Sequence, residues 1–145
     1  MKVVVDTNIV FSAILNSSSE IAKILINAGK SIEFYSCDFL KEELFKHRHK
    51  IQKLTKLSPE HVQELLSLVT QNIHFIDERL ISLDARKKAL LLIEGLDLKD
   101  TPFVALTFQL HATLWTGDKK LRSGLLKKGL KDTIDTKGLL KTLIK

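Results

Sequence analysis

Lys2-Val3-Val4-Val5-Asp6-Thr7-Asn8 is the stretch that decides the fold. β-Branched residues favour extended backbone, and each valine here has apolar or aliphatic-stemmed neighbours, so residues 2–5 read as a strand buried on both faces. Such strands lie inside parallel sheets, where a helical crossover must separate each strand from the next. Outward from this run the pattern alternates accordingly. A turn at 16–19 precedes a helix over 20–28, with Ile21, Ile24, Leu25 and Ala28 on one stripe and Gly29 at the C-cap. The spacing then predicts a strand over 32–36, a helix over 39–49, and a helix opened by Ser58-Pro59-Glu60 with Val62, Leu65, Leu66 and Val69 on its apolar face. A strand over 73–76 and a helix over 83–94, stopped by Gly95, come next. Residues 103–110 are apolar nearly all round and form a buried helix, with Thr101 as cap and Pro102 in the first position. A strand over 113–116, a helix over 119–128, a short strand at 133–134 and a helix from 137 complete the chain. Alternation from end to end predicts an α/β fold, a parallel sheet covered on both faces by helices and joined by right-handed crossovers.

The 145 residues carry 44% hydrophobic and 28% charged side chains, enough for one core, and no repeat or linker divides them, so a single domain over 1–145 is expected. No apolar run reaches the roughly 18 residues of a membrane span, and Asp6 interrupts any signal-peptide core, which predicts a cytoplasmic protein without membrane attachment. Cys37 is the one cysteine and reads as a small buried apolar side chain. The formal charge of +6 is concentrated in residues 119–145, which hold nine Lys or Arg against two Asp. A polyanion such as a nucleic acid suits that excess, and a solvated helix face with a basic tail accounts for it equally well.

The chemistry lies in the acids. Ligand sites of open parallel sheets sit beyond the carboxyl ends of the strands, where Asp6 and Asp118 both fall. If their strands are neighbours, the two acids converge. Either could instead be the N-cap of the helix that follows it. Glu43 sits inside the apolar stripe of its helix: with Leu40 at 0° and Leu44 near 40°, Glu43 falls at about −60°, while Glu42 falls on the wet side. A carboxylate facing inward is costly unless it pairs, protonates or binds a cation, so Glu43 either lines a polar cleft, joins a buried ion pair, or snorkels at the stripe's edge. With Thr101 capping, Asp100 has no structural duty, and Asp97 lies three residues before it. Convergent carboxylates repel one another, and a hard divalent cation such as Mg²⁺ or Mn²⁺ best explains a site that gathers them. His47 and His49 in KHRHK (46–50) are two apart on a helix and point to different faces, which makes a basic RNA-facing or solvated surface of them rather than a metal pair. A P-loop, a GxGxxG turn and a nucleophile elbow are all absent from the sequence.

These residues carry a family resemblance that runs nearly end to end. VVVDTNIVFSAIL resembles the opening strand and first acid of PIN-domain proteins, FLKEEL their helix-borne glutamate, DLKDTPFVALTFQL their third acid at a helix start, and LWTGDKKL their fourth. Within that family the chain is similar to the VapC-like toxins of toxin–antitoxin systems. The resemblance implies a three-layer α/β/α sandwich with a mostly parallel sheet. It implies that Asp6, Glu43, Asp100 and Asp118 bind Mg²⁺ or Mn²⁺, with Asp97 as an accessory acid and Asn8 and Thr116 as polar support. The activity implied is metal-dependent cleavage of single-stranded RNA, with an antitoxin protein and a second copy of the chain as partners. A catalytically silent RNA- or protein-binding module of the same fold is the alternative.

Overall fold

In a computed structural model that describes residues 1–144, five strands form one sheet in the order β3-β2-β1-β4-β5, with every neighbouring pair parallel. They are β1 (Lys2–Val5), β2 (Glu33–Cys37), β3 (Ile73–Ile76), β4 (Thr113–Trp115) and β5 (Thr133–Ile134). The three valines of β1 are fully buried in the centre, as a two-faced strand requires. Helices α1 (Thr7–Leu15), α2 (Glu20–Asn27), α3 (Asp38–Lys46), α4 (Arg48–Thr55) and α5 (Pro59–Thr70) pack on one another. Helices α6 (Leu83–Ile93), α7 (Thr101–Leu110) and α8 (Lys119–Lys127) make a second group, in which α7 lies across β1, β2 and β4, and α9 (Thr136–Ile144) closes the described chain. This is the expected three-layer α/β/α sandwich, with a wholly parallel sheet.

Its core is centred on Phe34, Phe103 and Trp115, all essentially without solvent contact. The Phe34 and Trp115 rings lie 6.1 Å apart across β1, and the Trp115 indole N–H donates to Thr136 Oγ1 at 3.1 Å, which ties α9 to the sheet. The chain runs outward from β1 to β2 and β3, then returns to place β4 on the other side of β1. The carboxyl ends of β1 and β4 therefore flank the point where strand order reverses, the usual location of a crevice in such sheets.

Three local readings are corrected by the structure. The helix expected over 39–49 breaks at His47, whose backbone (φ −100°, ψ 16°) ends α3 and starts α4. Gly29 is not a left-handed C-cap. Ala28 caps α2, and Gly29 is small because a Cβ there would stand 2.8 Å from Asn72, whose Nδ2 donates to the terminal carbonyls of Leu25 and Ile26. Thr101 does not cap α7; Asp100 occupies the N-cap position without using its side chain, and the Thr101 hydroxyl donates back to the Leu98 carbonyl.

Helix α3 lacks a cap from its own sequence, because Cys37 stands at its N-cap. Glu78, from the 3₁₀ turn after β3, supplies one by accepting from the Phe39 N–H. Burial first, and then the same carboxylate, push the Cys37 thiol up to about 12, which keeps it protonated and inert, as the small apolar reading expects. Replacing Glu78 with Ala should lower stability by about 0.5–2 kcal/mol in a urea melt, the range for a lost helix cap.

Candidate metal centre

Asp6 directly follows β1 and is 2% exposed. Its Oδ1 accepts from the Ile9 N–H at 3.1 Å as the N-cap of α1, leaving Oδ2 outside the cap. Asp118 follows β4 by three residues and repeats the device at α8, with Oδ1 accepting from the Leu121 N–H at 3.0 Å. Between the two, fully buried Thr116 accepts from the Asp118 N–H at 3.2 Å and hydrogen-bonds to the Asp6 carboxylate. One threonine thus fixes both acids. Ser36, at the end of β2, donates to the Val5 carbonyl at 2.8 Å and clamps the strand end from which Asp6 projects. That contact crosses strands and left no trace in local sequence.

The remaining acids arrive from the helices. Glu42 is exposed and Glu43 has 12% of its side chain exposed, as the angular reading requires, and Glu43 meets His47 Nε2 at 3.4 Å one turn on. Asp97 caps the short 3₁₀ turn Leu98–Asp100, and Asp100 follows it at the mouth of α7. Asp6, Asn8, Glu43, Asp97 and Asp100 line one cleft of about 230 Å³, with His47 on its wall. Asp118 lies in an adjoining cleft of about 380 Å³, and Asp97 and Asp100 stand on the ridge shared by both. The structure therefore gathers all four expected acids and the accessory Asp97 at one end of the sheet, in two adjoining hollows. Asn8 is exposed at the rim, and Thr116 supports from below.

Their electrostatics are those of uncompensated charge. Burial pushes the Asp6 carboxyl up to about 6, with Asp118 adding to the rise against the hydrogen bonds from Thr116, Ile9 and Asn8. Asp100 is pushed up to about 7, first by burial and then by repulsion from Asp6, Asp97 and Asp118. Among the described residues no Lys or Arg forms an ion pair with Asp6, Asp97, Asp100, Asp118 or Glu43. The Thr7 hydroxyl, on the wall of the same cleft, is buried without a hydrogen-bond partner. Among the described residues no three Asp, Glu, His or Cys side chains already surround a single point in ligand geometry. An all-oxygen set that repels itself, leaves a threonine hydroxyl orphaned and surrounds a hollow wide enough for water suits a hard divalent ion that retains part of its hydration shell.

The sequence matches the PIN domain family over residues 4–137. The chain belongs to the PIN domain family. PIN domains are generally nucleases, so the chain falls in a hydrolase family. Among solved structures, the PIN chain described here is similar to a chain in the crystal structure of VapBC2 from Rickettsia felis bound to a DNA fragment from their promoter. The two share 19% identity with a TM-score of 0.69, over 93% of this chain and 97% of that one, so the likeness expected to VapC-like proteins holds in the fold. No curated protein matches the sequence.

Sequence reading did not find His47 as a neighbour of the acids. It assigned the residue to a basic surface because it weighed His47 against His49, two residues on and facing elsewhere, and not against Glu43. The spacing of four from Glu43 was the available signal, since residues i and i+4 share a helix face. Thr7 and Phe11 were missed as well. Thr7 and Phe11 stand one turn apart on α1 and reach the cleft beside Asn8.

Proposed function

We propose that this PIN domain is a Mg²⁺- or Mn²⁺-dependent endoribonuclease that cuts single-stranded RNA in the cytoplasm, and that it is the toxin of a toxin–antitoxin pair. The observation that carries the reading is the group of acids without basic partners at the point where strand order reverses. Asp6, Asp100 and Asp118 would hold the ion, with Glu43 on the opposite wall binding a second ion or a water. A bound divalent ion would activate water and stabilise charge on the phosphate during in-line displacement. The chain's own residues position and orient. The helix caps engage Oδ1 of Asp6 and Oδ1 of Asp118, which leaves Oδ2 of each outside the caps, and Thr116 steadies the Asp6 carboxylate and the Asp118 backbone. His47 holds Glu43 in its rotamer, and Lys99 and Lys120, at the mouths of the two hollows, offer cations to the RNA backbone. The fold shared with a VapBC2 chain supports an antitoxin as partner.

The test is cleavage of labelled single-stranded RNAs by purified protein with Mn²⁺, with chelator, and with an Asp118→Asn variant. Asn still caps α8 through its amide oxygen, so that variant should fold normally and lose at least about 100-fold in cleavage, the scale of a removed electrostatic group. Equal cutting by the variant, or cutting that survives the chelator, would remove the acids from the chemistry.

A further inference from the structure

The acid cleft does not end at its own walls. Asn8, Phe11 and His47 also line a second cavity of about 310 Å³, bounded on its far side by Leu15 and Leu54 and carrying Lys50 at its rim. We propose that this cavity, between α1 and α4, receives one nucleobase of the RNA strand next to the phosphate held by the acids. The proposal rests on the nuclease reading above and gives that site a base-selecting neighbour.

Four observations carry it. The cavity adjoins the acid cleft, with Asn8, Phe11 and His47 lining both, so a strand whose phosphate lies among the acids has a neighbouring base within reach of it. Its wall is aromatic where the two hollows meet: the Phe11 and His47 rings stand edge to face at 5.7 Å and 66°, and Leu15 and Leu54 add exposed aliphatic surface with 46% and 57% exposure. A flat, weakly hydrated ring is the part of a nucleotide that such a surface accepts, and the side-chain amide of Asn8 offers both a donor and an acceptor to its edge. The size is at the low end for small-molecule pockets, which fits one base and not a longer segment.

Charge decides between RNA and a protein segment as the occupant. The stretch 46–56, which closes α3 and forms α4, holds Lys46, Arg48, Lys50, Lys53 and Lys56 and no Asp or Glu. All five are exposed. The KHRHK motif is thereby given a role: His47 turns toward the acids and Lys50 stands at the cavity's rim, placed to meet a phosphate leading away from them, while Arg48 is held over the Phe45 ring on the other side of α4.

The experiment uses a fluorescent mixed-sequence single-stranded RNA dodecamer in two forms. In one, a single abasic nucleotide is placed at each position in turn, and binding is read by anisotropy with cleavage read in parallel. In the other, 4-thiouridine is placed at each position and irradiated, and the crosslinked peptide is identified by mass spectrometry. Loss of one base, beside the cut site, should weaken binding about 10-fold while the other positions change little, and 4-thiouridine there should crosslink within 8–15 or 47–54. A Leu54→Trp variant, altered at an exposed position, should bind RNA with the abasic effect at that position abolished. A flat abasic scan with RNA still bound and cut would overturn the base pocket and leave the nuclease reading intact. Crosslinks confined to other surfaces, the result expected if the cavity takes a protein side chain, would overturn it equally. Absence of both binding and cutting on every RNA would remove the nuclease reading itself.

Discussion

Asp100→Asn should make the metal-free protein more stable at pH 8 while removing its activity. Ordinary substitutions at half-buried positions destabilise, so the sign is the informative part. Both Asp6 and Asp100 have their folded pKa raised, to about 6 and about 7 from an ordinary value of 3.8. A raised acid favours the folded state fully only below about pH 4, where both states are protonated, and that contribution is lost as pH rises through 6 and 7. At pH 8 the folded protein holds both as carboxylates against burial and mutual repulsion. Asn at position 100 removes the charge with little change of shape, and Asp100 caps nothing with its side chain, so nothing structural is given up. Allowing for solvent screening at a half-buried group, the gain is on the order of 1–2 kcal/mol, a few degrees in Tm, and it should vanish near pH 4. Cleavage should fall at least about 100-fold. Asp6→Asn should behave alike because its amide oxygen still accepts from the Ile9 N–H, whereas Asp6→Ala also loses the cap and should lie about 1 kcal/mol below Asn. A drop in Tm at pH 8 for both Asn variants would make these acids structural members of the fold.

The same residues show how far the sequence could be read. The buried valine run and the alternation of strands with helices were enough for a parallel sheet, because both are local patterns with one physical cause. The acids were located by position relative to those elements, and their convergence depended on β1 and β4 being neighbours, which the strand pairing Val5 with Trp115 provides. Sequence posed capping and site duty as alternatives for Asp6 and Asp118. In the structure they are not exclusive, since a carboxylate has two oxygens and the cap occupies one. Asp100 was singled out as an acid without structural duty, and that is where it stands, although Thr101 is not the cap that the argument assumed.

What escaped reading depends on contacts distant in sequence. No Gly or Pro marks the break at His47. The helix turns there as Ile51 of α4 becomes fully buried and His47 packs on Phe11 of α1, and neither contact has a local signature. Glu78 capping α3 from 39 residues away, Ser36 holding the end of β1, and Asn72 closing α2 are similar cases. Each satisfies a backbone group that its own segment leaves open, and the helix ends specify only that some partner must exist.

Mn²⁺ should raise the melting temperature, and by more as pH rises from 5.5 to 7.5. The reason is competition between cation and proton for the same oxygens. A carboxyl with a pKa of about 7 is about 3% ionised at pH 5.5 and about 75% ionised at pH 7.5; one with a pKa of about 6 goes from about a quarter to nearly all. If both must be ionised to bind, apparent affinity rises about 100-fold over those two pH units, against no change for an ion held by carboxylates of ordinary pKa. Calorimetry at pH 6 should accordingly find protons released on Mn²⁺ binding, with an observed heat that varies with the ionisation enthalpy of the buffer. In Asp100→Asn the larger part of the pH dependence should disappear and the smaller part, belonging to Asp6, should remain. Mn²⁺ binding with the same affinity at pH 5.5 and 7.5 and no proton release would place the ion elsewhere on the protein. The direction also opposes that of the metal-free protein, whose stability from these two acids falls over the same interval, because the ion neutralises the charge that burial and repulsion oppose.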